Sequence, residues 1–152
     1  MRLRTLSRSA APVLLAGLLA AGCGNSATNP TPVLTTETIS GTVAPKGTSS
    51  KTFDVNFALY NSDAGVTLTS LVLASDNATP FTGTVGVAFG IIKFDGSCGP
   101  DANYTDNAAT VGKQLVARSV FIGGTGQQYC IQVFDAGTLT EPVNWTAQLQ
   151  HY

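Results

Sequence analysis

Hydrophobic and polar residues alternate with a period of two along most of the chain after residue 37. Phe53, Val55, Phe57 and Leu59 are apolar, and Thr52, Asp54, Asn56 and Ala58 stand between them. This is the pattern of a strand with one face buried and one face wet. The same alternation runs through Val85, Val87, Phe89 and Ile91 against Gly86, Ala88 and Gly90. It returns in Tyr129, Ile131 and Val133 against Cys130, Gln132 and Phe134, and in Trp145, Ala147 and Leu149 against Thr146, Gln148 and Gln150. Shorter runs at residues 38–43 and 66–74 add two strands; the apolar phase of the second slips between Leu68 and Leu71, as a bulge would make it. Residues 111–122 are strand-prone but less regular.

Turn residues punctuate these runs. Clusters fall at 45–50, at 61–65 and at 123–126, and residues 95–107 read as a loop rich in Gly, Asp and Asn. No stretch has the 3.6-residue period of an amphipathic helix. About eight short strands at near-regular spacing predict an all-β domain, a single β-sandwich or jelly roll spanning residues 37–152. Phe53, Phe57, Phe89, Tyr129 and Trp145 take core phases, whereas Tyr60, Tyr104 and Tyr152 do not.

The first 36 residues follow a different rule. Arg2, Arg4 and Arg8 precede an uncharged apolar stretch at 10–21, which is shorter than the roughly 20 residues a membrane span needs but suits the core of a signal peptide. It ends Leu18-Leu19-Ala20-Ala21-Gly22-Cys23-Gly24, which resembles the lipobox of bacterial lipoproteins. The resemblance implies cleavage between Gly22 and Cys23, acylation of the Cys23 thiol, and residues 1–22 as a signal peptide. With Gly24 rather than Asp after the cysteine, it implies an outer-membrane destination in a two-membrane bacterium. Ala20 stands where leucine is commonest in that motif. Residues 23–36, polar and carrying Pro30 and Pro32, read as the lipidated cysteine and a flexible tether.

Composition narrows the function classes. Charged residues are only 11% of the chain, well below the usual quarter. From residue 23 onward five cations face nine anions, a net charge of −4, and the cations are scattered. Such a surface lacks the basic footprint of nucleic-acid binding and has no polybasic lipid-binding patch. The membrane partner expected is the one reached through the lipid anchor, with an envelope glycan or protein as the further partner.

Cysteine arithmetic completes the picture. With Cys23 taken by the lipobox, Cys98 and Cys130 remain as an even pair in an oxidising compartment, and a disulfide is expected. The phase of Cys130, opposite Tyr129, places the bridge on an outer face or at an edge. There is no CxxC.

The second half carries a further likeness. Segments 95–98, 128–135 and 137–146, together with Ser40-Gly41-Thr42-Val43 and Lys51-Thr52-Phe53-Asp54-Val55, resemble small secreted bacterial domains related to the pre-peptidase C-terminal group. The resemblance covers about residues 37–151 and implies a jelly-roll sandwich with a binding or structural role. No catalytic domain is expected ahead of it, which would be a departure from that group.

Catalytic chemistry finds little to build on. Nucleophilic catalysis needs a nucleophile, a base and an orienting group, and the single histidine, His151, stands one residue from the chain end, where fraying makes a surface role the plainer expectation. No GxSxG elbow and no phosphate loop is present, and the nine scattered acids single out no pair for glycoside hydrolysis. The chain is therefore expected not to be an enzyme, with a small hydrolase as the distant alternative. No cofactor is expected. The one cation candidate is Ca²⁺ on the oxygens of Asp95, Asp101, Asn103 and Asp106, although their spacing is not that of an EF-hand and Asp and Asn are ordinary turn formers. The leading expectation is a lipid-anchored envelope protein with a non-catalytic structural or binding role. A carbohydrate-binding module, with or without Ca²⁺, is the runner-up.

Overall fold

The computed structural model describes residues 33–54, 63–117 and 128–152. Eight strands are present among them: β1 (Thr35–Val43), β2 (Thr48–Asp54), β3 (Ala64–Leu73), β4 (Val85–Ile92), β5 (Cys98–Ala109), β6 (Gln114–Ala117), β7 (Gln128–Phe134) and β8 (Val143–His151). They form two four-stranded sheets in the orders β1-β8-β3-β6 and β2-β7-β4-β5, with every pairing antiparallel. The pairs β1·β8, β2·β7, β3·β6 and β4·β5 are those of one long hairpin folded over on itself. The β3·β8 and β4·β7 pairings then close each sheet. This is the jelly-roll form of the β-sandwich, as the alternation of the sequence predicts.

The core lies between the sheets. From the first sheet come Val66, Leu68, Leu71, Val143, Trp145, Ala147 and Leu149; from the second come Phe53, Val85, Val87, Phe89, Tyr129, Ile131 and Val133, all buried. Each set occupies alternate strand positions, because successive side chains leave a strand on opposite faces. Phe53 meets the Phe89 ring edge-on at a centroid distance of 6.3 Å and lies 6.0 Å from Tyr129, spacings at which ring quadrupoles attract. The bulge expected in β3 is there: the register with β8 shifts between Leu68 and Ser70. The shift restores Leu71 to the core face.

Several boundaries differ from the sequence reading. β1 starts at Thr35, two residues ahead of the expected domain start. Thr48–Ser50, read as turn, opens β2, and Ala64 and Gly65 open β3 as buried residues. Val111 and Gly112 form a turn, so only Gln114–Ala117 of the strand expected at 111–122 is strand among the described residues. The expected strand positions Val55, Phe57 and Leu59, Tyr60, and the turn at 123–126 lie outside the described residues.

The largest correction concerns residues 95–107, read as a loop. Cys98–Ala109 is the longest strand among the described residues. It is the outer strand of its sheet, where the unpaired edge faces solvent and Pro100 costs no ladder bond. Its polar composition misled because its pairing depends on backbone contact with β4, whereas only one residue in its pattern, Ala109, is fully buried. Its register is also broken: the β4 run from Ala88 to Gly90 faces the longer β5 run from Thr105 to Pro100. The excess residues bulge outward, held by Asp101, whose Oδ1 accepts the Asn103 backbone N–H at 2.8 Å, and by the Thr105 hydroxyl, which donates to the Asp101 carbonyl at 2.7 Å.

Candidate functional site

The second sheet presents an outer face with unusual relief. On β4 the outward positions are Gly86, Ala88 and Gly90, and all three are buried. Small residues make a floor on which other parts of the chain can lie. A Cβ on Gly86 would coincide with the Phe134 ring from β7, and one on Gly90 would stand 2.6 Å from the Gly99 carbonyl carbon and 2.9 Å from the Pro100 Cα. The start of β5, which pairs with this end of β4, therefore also crowds the space over Gly90.

That crowding explains the disulfide. Cys98 belongs to β5 and Cys130 to β7, with β4 between them. Strands two places apart in a flat sheet are separated by roughly 10 Å, twice the ~4.8 Å strand spacing. The Cys98 and Cys130 Cα atoms are only 5.8 Å apart, and their sulfurs are bonded. The bridge spans β4 beside Gly90, which pairs with Cys130 and has no side chain to obstruct it. It lies on the outer face of the sheet, as the phase of Cys130 predicts, yet Cys130 is completely buried there because the start of β5 covers it.

Two hollows flank this crossing. One, of about 370 Å³, is mostly apolar and is lined by Phe89, Ile91, Tyr129, Pro100 and Asp101. The other, of about 260 Å³, is mixed: Phe134 and Pro100 form its apolar sides, and Thr48, Thr105, Gln132, Lys46 and Asp135 bring polar groups. One end of the second hollow is fixed by Asp135. Its Oδ2 accepts the Lys46 backbone N–H at 2.8 Å, and its Oδ1 accepts the N–H groups of Gly137, Thr138 and Leu139 at 2.7, 2.9 and 3.1 Å. The backbone hydrogen bonds, that from Lys46 first, hold the Asp135 carboxyl below its ordinary value. A depressed carboxyl favours the fold above the unfolded value near ~3.9, and its contribution fades as pH falls through the lower folded value.

Asp95, Asp101, Asn103 and Asp106, the calcium candidates, are each engaged locally. Asp95 Oδ1 accepts the Ser97 N–H at 2.9 Å and the Ser97 hydroxyl at 2.6 Å. Asp101 Oδ1 also accepts the Asn103 side-chain amide at 3.0 Å. Asp106 pairs with Lys113 at 2.8 Å and accepts the Ala108 N–H at 3.0 Å. The structure brings Asp101 and Asn103 together and does not gather Asp95, Asp101 and Asp106. Among the described residues no three His, Cys, Asp or Glu side chains are placed to share a metal ion.

His151 is a correction. It is the last residue of β8 and is buried, not a surface histidine. Register explains this: His151 pairs with Thr35, so β1 covers the end of β8. Its Nε2 lies 3.1 Å from Glu37 Oε1, its ring lies 5.3 Å from that of Phe53, and its Nδ1 has no hydrogen-bond partner among the described residues. The arrangement ties the first strand to the last. The lipidation residues Gly22 and Cys23 lie outside the described residues.

No protein-family model matches the chain, and no curated protein matches it in sequence. The outer face of the second sheet was missed in the sequence reading. Its signal was the run of small residues Gly86, Ala88 and Gly90 between apolar ones, noted there as the far side of a strand without a reason for its smallness. Chemically the mixed hollow offers hydroxyls, an amide and an aromatic ring, groups that hold a neutral ligand through hydrogen bonds and apolar contact.

Proposed function

We propose that the chain is an exported lipoprotein, anchored by acyl chains on Cys23 to the outer membrane of a two-membrane bacterium, whose jelly-roll domain is a non-catalytic binding or structural module. The observation that carries this reading is the fate of the three cysteines. Cys98 and Cys130 are bonded to each other, the state favoured outside the reducing cytosol. The third, Cys23, follows Arg2, Arg4, Arg8 and an apolar stretch and stands directly behind Ala20-Ala21-Gly22. Small residues suit a narrow peptidase cleft, and more than one acyl chain makes an anchor stable. The likeness of residues 37–151 to pre-peptidase C-terminal domains supports a binding role by analogy.

The test is maturation of the full chain in a bacterial host fed a clickable fatty acid. The native chain is expected to lose residues 1–22, take up the label and sediment with membranes. Cys23→Ser is expected to accumulate as unlabelled precursor. Normal processing and membrane retention of that variant would refute the anchor.

The mixed hollow on the second sheet favours one second reading, a carbohydrate-binding module. Phe134 and Pro100 provide surfaces for the apolar face of a sugar, and Thr48, Thr105 and Gln132 provide partners for its hydroxyls. Gln132→Ala is then expected to abolish binding of the acylated, detergent-solubilised protein to a glycan array without moving its melting temperature. An array on which the native protein retains no glycan removes this reading.

A further inference from the structure

Exposed apolar side chains are not spread evenly over the domain. Among the described residues the large ones are Val33, Leu34, Ile91, Phe94, Val111 and Val116. The register sorts them by end. Thr35 pairs with His151, Gly65 with both Gln150 and Val116, and Ile91 with Tyr129. Phe53, the partner of Tyr129, packs on His151. Val33, Leu34, Ile91, Phe94 and Val116 therefore share one end of the sandwich, and Val111 alone lies at the other. Clustered exposed apolar groups mark a contact surface, whereas single ones do not.

Phe94 leads this end. It is wholly exposed at the tip of the β4–β5 hairpin. The tip is held firmly: the Lys93 N–H donates to the Ser97 carbonyl and the Gly96 N–H to the Lys93 carbonyl, both at 2.9 Å, and Asp95 caps Ser97. Gly96 takes the left-handed backbone, φ 78°, that this turn requires. At the root of the hairpin, Cys98 is bonded to Cys130. The ring is thus presented to its surroundings by a braced turn.

The same end is where the chain arrives from Cys23. Nine residues lie between Cys23 and Val33, ten Cα–Cα steps with a contour of at most roughly 35 Å and, for a loose coil, roughly 16–19 Å. We infer that this end of the sandwich, led by Phe94 with Ile91, Val33 and Leu34, rests on the lipid surface that the acyl chains of Cys23 enter. This rests on the lipoprotein reading above. The described charged groups near this end include Glu37, Asp54, Asp63 and Asp95 with Lys51 and Lys93, an acidic balance. The contact is therefore apolar and shallow and suits a zwitterionic surface, unlike a polybasic contact with anionic lipid.

Phe94→Trp tests this in the full acylated protein reconstituted into phosphatidylcholine vesicles, with and without bromine on the acyl chains. Trp145 is buried in the core and supplies a constant background, and Val111→Trp reports on the opposite end. The indole at 94 is expected to emit to the blue of the Val111→Trp variant and to lose most of its added emission to brominated lipid, while that at 111 is unaffected. Water-like emission of equal intensity in both vesicle types, from protein that floats with the vesicles, overturns the inference. A blue shift without bromine quenching also overturns it, by assigning this end to a protein contact. Protein that does not float with vesicles at all refutes the anchor itself, a separate failure that removes this inference with it.

Discussion

Gly90→Ala is expected to destabilise the domain nearly as much as Gly90→Val, because the conflict begins at the Cβ atom. Any side chain at this position projects from the outer face of β4 into the β5 backbone, 2.6 Å from the Gly99 carbonyl carbon and 2.9 Å from the Pro100 Cα. A rotamer change cannot relieve a clash at Cβ, and the obstacle is main chain, which cannot swing aside as a side-chain tip does. Overpacking in a core costs about 1–3 kcal/mol when neighbours can shift; here the expected cost is at or above the top of that range. The neighbouring backbone is also pinned by Cys98, bonded to Cys130 on the far side of β4. The start of β5 must either lift, opening the cover over Cys130, or strain the bridge. Thermal melts of the two variants check this, together with a free-thiol count on the folded protein. A Gly90→Ala variant that melts like the native protein would show that the start of β5 does not crowd Gly90. If only Gly90→Val were harmful, the fault would lie with side-chain bulk, and the close approach of backbone would be refuted.

The crossing at Gly90 also marks how far the sequence could be read. Strands with one face on the core announced themselves: β4, β7 and β8 follow the alternations of Val85 to Ile91, Tyr129 to Val133 and Trp145 to Leu149, because burial demands an apolar residue at every second place. β5 did not, since an edge strand needs only a backbone partner, and its Asp and Asn residues serve the bulge between Thr105 and Pro100. The burial of His151 was equally hidden. It depends on Thr35 lying opposite it, a pairing between residues at the two ends of the domain that no local pattern encodes. The cysteine pairing was legible by counting, because residues 37–152 hold only two cysteines and leave one choice. That the bridge would straddle a third strand was not, because this depends on Gly90 being at the right register in a strand neither cysteine belongs to. Of the candidate site, the calcium candidates were legible only as residue types. The structure uses Asp95, Asp101 and Asp106 as separate local acceptors. The mixed hollow could not be read at all, since Thr48, Gln132, Phe134 and Thr105 come from three strands.

Removing the bridge by the double change Cys98→Ala, Cys130→Ala is expected to lower stability by about 3–4 kcal/mol. The two residues are 32 apart in sequence, and releasing a loop of that length restores roughly this much free energy of conformational entropy to the unfolded chain. Against the total of about 5–15 kcal/mol typical of a folded domain, that is a large share. At roughly 3–5 °C per kcal/mol, between the values for smaller and larger domains, the melting temperature should fall by about 10–20 °C. The location of the bridge adds a second consequence. Cys130 is buried beneath the start of β5, and the bridge fixes that segment where Gly90 leaves room for it. Without the bond, residues near Cys98 lose their covalent tie to β7, and amide hydrogen exchange should quicken at 97–99 more than in β3 or β8. Reduction of the native protein should reproduce both effects. A melt unchanged by the double substitution would mean that the β4–β5 contact holds without the bond. Uniformly faster exchange would make the bridge a restraint on the unfolded chain alone, with no part in holding β5 across β4.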